Sequence, residues 1–540
     1  MTPLLTAIEA SVVERCRHLL TLVDRDPTSV SYGCFDRAYW QYKIKDFPSG
    51  MSQEALYPLA LALEDGLLPA SAQGERDLRQ LLEAAVQESL ARQHGNGSVD
   101  DYFPFEQAAG ATVFSLFAIL EALPLLGMPL PAVAASLQRR LHWLAHHQES
   151  GRLSNHEALI VLCLLRASRL EGLGGWEGAA RQRLARLLSW RSPEGWFEEY
   201  GGFDVGYETL TFACLLEIAR LLPDAGVNWG ELLDRSFTVI LSAVEPDGVI
   251  GGELFCRGTW NCFGHGLLEY ALETRPADLP VVLAILEARW LYQPVQVRDD
   301  YVIQHHLWSD LLLLRRLRAA AAAQSLPAAV PVPAELERSL PEAGHLWIRH
   351  GSCQTHLALA TGGGFRLYRQ GRFVDQDTQV AVRLRGRGGR AGPVLLANAP
   401  GSLLSWSWLD GRTLLLEGRL YRAKRQRLTT TKLIVLRLLM LFGGRWCADQ
   451  VRWLMQQVLI HAGPTAGAFY TRRIQFLDDG LLVHDRCRLP RGAAAGAQLQ
   501  PTAFASFRHV VMSRVHHPYN LLRQGPVQLQ SEELLLERQW

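Results

Sequence analysis

Along most of the first 323 residues, apolar positions recur at spacings of three and four, the pattern of helices that lay one stripe on a core. It is plain in 76–92, 108–120, 130–147, 155–170, 176–188, 207–222, 229–244 and 279–291. Short bends of Gly, Pro or Asp separate these stretches, and no β-like alternation interrupts them. The pattern predicts antiparallel helical hairpins repeating at about 45 to 50 residues, which either stack openly or close into a ring. The joints favour the ring. Some are terse, whereas 29–50, 94–107, 190–206 and 245–262 are long and carry aromatic and charged residues. One end of each hairpin in a ring lines a shared cleft and collects such residues, so residues 1–323 are expected to form an (α/α) toroid.

An Ala/Pro-rich stretch, 324–344, reads as a linker. Beyond it, 345–540 alternates apolar and polar positions with Gly punctuation, notably in 345–386, 402–420 and 472–488. This half is expected to be an antiparallel β-sandwich. The chain thus reads as multidomain, α then β. Near 431–463 the alternation gives way to two helical runs around Gly443 and Gly444, interrupted by Arg437, Arg445 and Arg452. A helical insertion packed on the sandwich is the first expectation there, and a peripheral contact with a membrane surface the second. The first run is only about 15 residues long and contains Arg437, which argues against a transmembrane span.

Composition narrows the partners. A net charge of +1 gives no bulk attraction to nucleic acid, so anions must be bound by local clusters. The nine cysteines are scattered without a CxxC pair, which argues against a disulfide framework or zinc knuckle and for a reducing compartment. Glu9 and Glu14 interrupt the N-terminal apolar run, so it reads as a helix rather than a secretory signal, and a cytoplasmic location is expected. No Walker loop, GxSxG elbow or HExxH is present, and His305 and His306 diverge by about 100° on a helix, so neither cofactor nor metal is expected.

The long joints hold the candidate chemistry. In 31–61, Tyr32, Asp36, Arg37, Trp40 and Lys43 interleave cations with aromatics, as stacking on an anionic sugar requires, or as an ion-paired surface segment would. Tyr102 and Glu106 precede a helix, where acids also serve as caps. Ser154, Asn155 and His156 open another; the pair could cap it or bind a substrate carboxylate. Next comes "EGWFEEYGGFDVGYETLTF", with six aromatics, five acids and four glycines in 194–212, including Trp196, Glu199, Tyr200, Asp204 and Tyr207. Its glycines permit a sharp bend and close approach to a ligand. A tyrosine serves as a base only where cations stabilise its phenolate. Arg257, Trp260 and Asn261 repeat the theme in 247–272, and Tyr301 and His305 follow.

An Asn-His pair, then "GWFEEYGGFDVGY", on a helical half entered through "SYGCFDRAYWQYKIKDFP" and followed by a β half, resembles the heparinase II/III-like proteins, relatives of polysaccharide lyases. The resemblance covers roughly 30–500. It implies an acidic polysaccharide or oligosaccharide as partner, and cleavage of uronate polymers by β-elimination. Under it, Asn155 and His156 neutralise the uronate carboxylate, Tyr207 (or Tyr200) takes the C5 proton and returns it to the leaving oxygen, and Arg257 contacts substrate. It also implies a histidine from the β half, with His350, His356 and His484 as candidates. Two other readings use the same scaffold. A glycoside hydrolase would pair Glu198 or Glu199 with Asp204, Glu106 or Asp300. A non-catalytic glycan-binding protein of a bacterial polysaccharide system would keep the aromatics and cations alone.

Overall fold

A computed structural model describes residues 2–68, 71–149, 151–292, 299–324, 326–330, 338–385, 391–399, 401–423, 429–444, 450–451, 464–490, 497–502, 527–528 and 533–539. The N-terminal part is helical: α1 (Thr2–Leu22), α2 (Arg37–Trp40), α3 (Leu56–Glu64), α4 (Ala72–Ala91), α5 (Ala109–Leu126), α6 (Ala134–His146), α7 (Ser154–Ser168), α8 (Glu177–Leu188), α9 (Val205–Leu221), α10 (Trp229–Ser242), α11 (Gly264–Glu273), α12 (Leu279–Glu287) and α13 (Ile303–Ala322). Side-chain oxygens of Ser71, Asp204 and Asn228 accept the first free amides of α4, α9 and α10, and Gly127 at φ +66° ends α5.

Two kinds of helix alternate along the chain. α5 buries 15 of its 18 residues, whereas α4 buries only one stripe, from Leu78 to Leu90. The buried kind pack on one another in sequence: α3 on α5, α5 on α7, α7 on α9, α9 on α11, α11 on α13, and α13 back on α3. α4, α6, α8, α10 and α12 pack on their outer sides. A helix apolar on every face, such as α5, is stable in water only when neighbours surround it, which is the position it holds.

The long joints all precede the buried helices, and they touch one another. The Gly50 amide donates to the Asp100 carbonyl (2.7 Å), Tyr200 to Arg152 (2.8 Å) and Cys256 to Phe203 (3.1 Å), while the Gln304 side chain reaches the Met51 carbonyl (3.2 Å). The N-termini of the buried helices therefore converge at one end, each presenting the positive pole of its dipole.

The C-terminal part holds antiparallel sheets. β1 (Arg338–Leu340), β2 (His345–His350), β3 (Cys353–Ala358), β4 (Gly364–Arg369) and β5 (Arg372–Asp377) form a five-stranded meander. The second sheet contains β6 (Gln379–Arg385), β7 (Ala391–Leu396), β8 (Leu403–Asp410), β9 (Thr413–Arg422), β10 (Pro464–Leu477), β11 (Gly480–Arg488), β12 (Gln498–Thr502), β13 (Val527–Gln528) and β14 (Glu533–Gln539). Its order is β13-β12-β6-β7-β9-β10-β11-β14, with β8 also paired to β9. Leu357, Phe365 and Leu367 of the first sheet share a core with Leu414, Ile474 and Val483 of the second. Buried Arg472 ties both together through Asp377 (2.9 Å) and Asp485 (2.7 Å). Part of the stretch that reads as linker is built into this half, because Arg338–Leu340 pairs with β2. Leu340, Ala343 and Trp347 join the helical core itself.

The helical insertion departs from its first expectation. α14 (Thr430–Leu439) buries none of its residues, and Leu433, Ile434, Val435 and Leu438 stand exposed. Instead of packing on a sheet, α14 is tied to the helical half, where Arg437 pairs with Asp46 at 2.8 Å. Positions 445–449 and 452–463 lie outside the described residues.

Candidate functional site

The lead-in to α9 is held in a shape ordinary residues resist. Gly195 has φ +111°, Tyr200 φ +53° and Gly201 φ +78°. A left-handed tyrosine is uncommon, and it persists here because the surroundings fix it. A side chain at Gly202 would lie 2.8 Å from Cys256 Cβ, so this bend and the 245–262 joint close tightly on each other. Asp204, buried, caps α9 through the Tyr207 amide (3.1 Å) and also accepts the Arg257 amide (3.0 Å) and the Thr259 hydroxyl (3.3 Å). One carboxylate thus registers Tyr207 against Arg257.

Arg257 is the hub. Its guanidinium lies 4.3 Å from the Tyr207 ring centroid and 4.8 Å from that of Tyr200, with Nη2 3.4 Å from the Tyr207 phenol oxygen. Its Nη1 bonds the Glu199 carboxylate, and the other Glu199 oxygen accepts Asn155 Nδ2 (2.8 Å) and Ser154 Oγ (3.3 Å). Burial pushes the Tyr207 phenol above its ordinary pKa, Arg257 pulls it back, and Glu199 and Asp204 oppose Arg257. Asp204 is pushed up by burial, against the pull of Arg257, to about 6.

Four buried polar atoms here have no hydrogen-bond partner: Asn155 Oδ1, Arg257 Nε and both amide atoms of Asn261. Asn261 stands close enough to Tyr207 to favour its phenolate, without completing a hydrogen bond. Buried polar groups are nearly always paired, so these atoms set the cluster apart from ordinary apolar core.

Neighbouring candidates fall into two groups. Tyr200 lies within electrostatic range of Glu149, which bonds His156 Nδ1 (2.8 Å). His156 thus stands at the margin of the cluster with a protein carboxylate as its partner. Tyr102, 45% exposed, is near enough to Tyr207 for that phenol to add to the rise of its pKa, which burial dominates. Elsewhere the contacts are structural. Glu106 accepts the Tyr102 amide (2.7 Å), Trp196 donates to Glu194 (2.8 Å) and packs on Phe203, and His305 is buried against Glu54 (3.1 Å). Tyr301 lies near Lys45 (5.8 Å). Asp36 caps α2 and pairs with Lys45 (2.9 Å), Arg37 donates to the Tyr42 hydroxyl (2.8 Å), Trp40 donates to the Leu22 carbonyl (2.8 Å), and Tyr32 packs against the apolar core near Asp77. Lys43 is exposed with φ +52°. The cation-aromatic segment from Tyr32 to Trp40 therefore makes contacts with α1, α4, Arg92, Gln53, the 45–50 turn and itself.

A second cluster joins the site to the β half. Buried Glu245 accepts His356 Nδ1–H (2.6 Å) and Arg366 Nη1 (2.9 Å), and His356 Nε2 accepts from His345 Nδ1 (2.9 Å). Burial alone would raise the Glu245 pKa, but His356, Arg366 and Arg338 hold it down at about 2, while burial lowers the pKa of both histidines against the pull of Glu245. Arg366 also donates to the Gly251 carbonyl (2.9 Å) and lies 4.8 Å from the Trp260 ring centroid. The joint bearing Arg257, Trp260 and Asn261 is thus clamped from β4. Of the three β-half histidines singled out in the sequence, His356 reaches the helical half, while His350 bonds the Leu477 carbonyl (2.5 Å) and Thr355 (2.8 Å). Glu245, His345 and Arg366 carry no local sequence signal; they become visible only when the halves meet.

No family model and no curated protein matches the sequence. Among solved structures, chondroitin AC lyase of Streptomyces coelicolor A3, in complex with chondroitin sulphate, superposes with a TM-score of 0.52 at 13% identity, over 92% of this chain and 68% of that one. The chain has a polysaccharide lyase-like fold. Heparan sulfate lyase HepC of Pedobacter heparinus aligns over 91% of this chain and 71% of its own, at a TM-score of 0.39 and 11% identity. Within this lyase-like fold, Tyr207, Arg257, Glu199 and Asn155 meet at the convergent helix N-termini.

Proposed function

We propose that this chain is a polysaccharide lyase-like enzyme that cleaves uronate-containing glycan by β-elimination, with Tyr207 as base and acid. The observation that carries the reading is the Arg257 guanidinium set against the Tyr207 phenol, beside the partnerless Asn155 Oδ1 and the Asn261 amide. Tyr207 removes the C5 proton, the C4–O bond breaks as the C4=C5 bond forms, and the phenol returns the proton to the leaving oxygen. Arg257 stabilises the phenolate, and Asn155 serves the substrate carboxylate, whose neutralisation acidifies C5–H. In the same reading the cycle of buried helices is an (α/α) toroid and the paired sheets a sandwich.

Three carboxylates of the hydrolase alternative are engaged away from Tyr207, Glu198 by Arg152 (2.6 Å), Asp300 by His18 (2.7 Å) and Glu106 by backbone amides, while Glu199 and Asp204 are held by Arg257. The experiment offers the purified protein a panel of uronate polymers and follows absorbance of the unsaturated product. Absorbance growth supports elimination. New reducing ends without absorbance identify a hydrolase, and binding without turnover a glycan-binding protein.

We further propose that α14 lies in the interface of a lipid bilayer. Its apolar side chains point around most of the helix, which suits lipid better than a one-sided protein groove. Exposed Tyr42 and Ile44 extend the surface from the loop that Asp46 ties to Arg437. Sedimentation with phosphatidylcholine–phosphatidylglycerol vesicles tests it: the full chain should pellet, and the variant Leu433→Ser, Val435→Ser, Leu438→Ser should stay in solution. Equal pelleting of both, or self-association through the same residues, refutes it.

A further inference from the structure

Asn155 Nδ2, Ser154 Oγ and Arg257 Nη1 together make a receptor for one carboxylate, an amide, a hydroxyl and a guanidinium converging on two oxygens. The occupant is the protein's own Glu199, only 1% exposed. Its main chain is fixed independently of its side chain. The Glu199 amide donates to the Gly202 carbonyl (2.9 Å), its carbonyl accepts Cys256 Sγ (2.9 Å), and it bridges Leu153 in the antiparallel sense. Departure of the carboxylate therefore requires only a side-chain rotation, with the bend kept in place by its main chain. Asn155 and Arg257, two of the three groups holding it, also carry unpartnered atoms, Oδ1 and Nε. The cradle has hydrogen-bonding capacity that Glu199 does not use.

We infer that Glu199 is a built-in competitor for the substrate's carboxylate, a specificity-determining side chain that an acidic sugar must displace from Asn155, Ser154 and Arg257 before it sits against Tyr207. The inference rests on the elimination reading for the placement of the sugar, and on the geometry alone for the competition. A neutral sugar has no group able to replace a carboxylate among these donors, so it leaves Glu199 in place and Asn155 occupied. Acidic sugars gain the cradle, but at an affinity lowered by the competition. Once Glu199 leaves Arg257, a substrate carboxylate takes over the pairing, and the guanidinium keeps a carboxylate partner.

Binding, not turnover, tests this. Sodium D-glucuronate and D-glucose are titrated by calorimetry into the wild type, Glu199→Ala and Glu199→Gln. Removal of the internal carboxylate should lower the Kd for glucuronate at least tenfold in Glu199→Ala, with glucose unchanged. Sodium acetate should raise the melting temperature of Glu199→Ala and leave that of the wild type in place. Should Glu199→Ala fail to fold by circular dichroism, Glu199→Gln keeps the side-chain volume without the charge and should show the same direction of change. Glucuronate affinity equal to or weaker than wild type in the folded variants overturns the inference. If wild type turns over uronate polymer while the variants gain no affinity, the competition fails and elimination stands. If the variants gain affinity and no protein turns over polymer, elimination fails and the competition stands.

Discussion

The guanidinium of Arg257 lies over the ring of Tyr207, 4.3 Å from its centroid, with Nη2 3.4 Å from the phenol oxygen. A cation placed there stabilises the phenolate more than the phenol, which is the asymmetry a tyrosine base requires. Removing only the hydroxyl isolates its role. Tyr207→Phe should lower formation of unsaturated product by about 10² to 10⁴-fold, the span of a positioned general base. Its denaturation midpoint should stay near that of wild type, because the ring packing is kept. Retained turnover in Tyr207→Phe would assign the chemistry to another group.

Tyr207 also sets the expected pH dependence. Burial outweighs Arg257, so its pKa stands above that of an ordinary tyrosine and the free protein holds the phenol protonated at neutral pH. The reactive phenolate fraction therefore grows tenfold per pH unit below that pKa. A plot of log kcat/KM against pH should climb with a slope near one from pH 6 to 9. A plateau beginning near pH 7 would point to a histidine base instead.

Stability should run the other way. Burial raises the folded-state pKa of Glu208 to about 7 and that of Asp204 to about 6, above their unfolded values of 4.5 and 3.8. Groups shifted upward contribute their full stability below the unfolded pKa and lose it as pH rises through the folded one. At 1.36 kcal/mol per pH unit, each costs the fold roughly 3 kcal/mol by pH 8. Glu208 accepts the Phe197 amide (2.9 Å) and the Ser236 hydroxyl (2.7 Å); a glutamine keeps the first through its carbonyl oxygen and replaces the second by donating its amide N–H to the Ser236 oxygen. Glu208→Gln should flatten the decline between pH 5 and 8 in urea unfolding, with the gain largest at pH 8. A parallel decline in both proteins would remove Glu208 from this role.

Periodicity alone separates the two halves, because burial of one helical stripe or one strand face leaves a local imprint. The loading of 190–206 and 245–262 with aromatics and acids is local too, and these joints do meet, at Asp204 and the Arg257 amide (3.0 Å). The roles of individual residues were less legible. Asp36 and Trp40 look the same in sequence whether they hold a sugar or anchor their own segment; in the fold Asp36 caps α2 and Trp40 donates to the Leu22 carbonyl. Asn155 and His156 are adjacent, yet helix geometry sends one to Glu199 and the other to Glu149. α14 misled for another reason. An apolar run predicts burial, but the sequence does not say against what, and no described residue of the helix is buried. Least legible was the clamp at Glu245, whose partners His356 and Arg366 lie 111 and 121 residues further along.

That clamp makes the last prediction. Glu245, fully buried, is ionised because Arg366 (2.9 Å) and His356 (2.6 Å) face it from the β half. Taking two charges out of water costs nearly what their attraction returns, so the pair adds little net stability, whereas removing one partner strands the other. Arg366→Met should therefore destabilise the chain by about 3 to 5 kcal/mol. Glu245→Gln should cost a comparable amount, because Arg366 would keep only Glu253 (3.4 Å) and neutral acceptors. The double variant should recover much of the loss, which a double-mutant cycle in guanidinium unfolding measures as a coupling of at least about 1 kcal/mol. The neighbouring Gly252 gives an independent check. It sits at φ +102°, and a Cβ there would overlap Arg366 Nη2, so Gly252→Ala must displace the same guanidinium. Its cost should shrink when Arg366 is already methionine. Strictly additive losses in both cycles would mean that the Glu245–Arg366 pair does not couple the two halves.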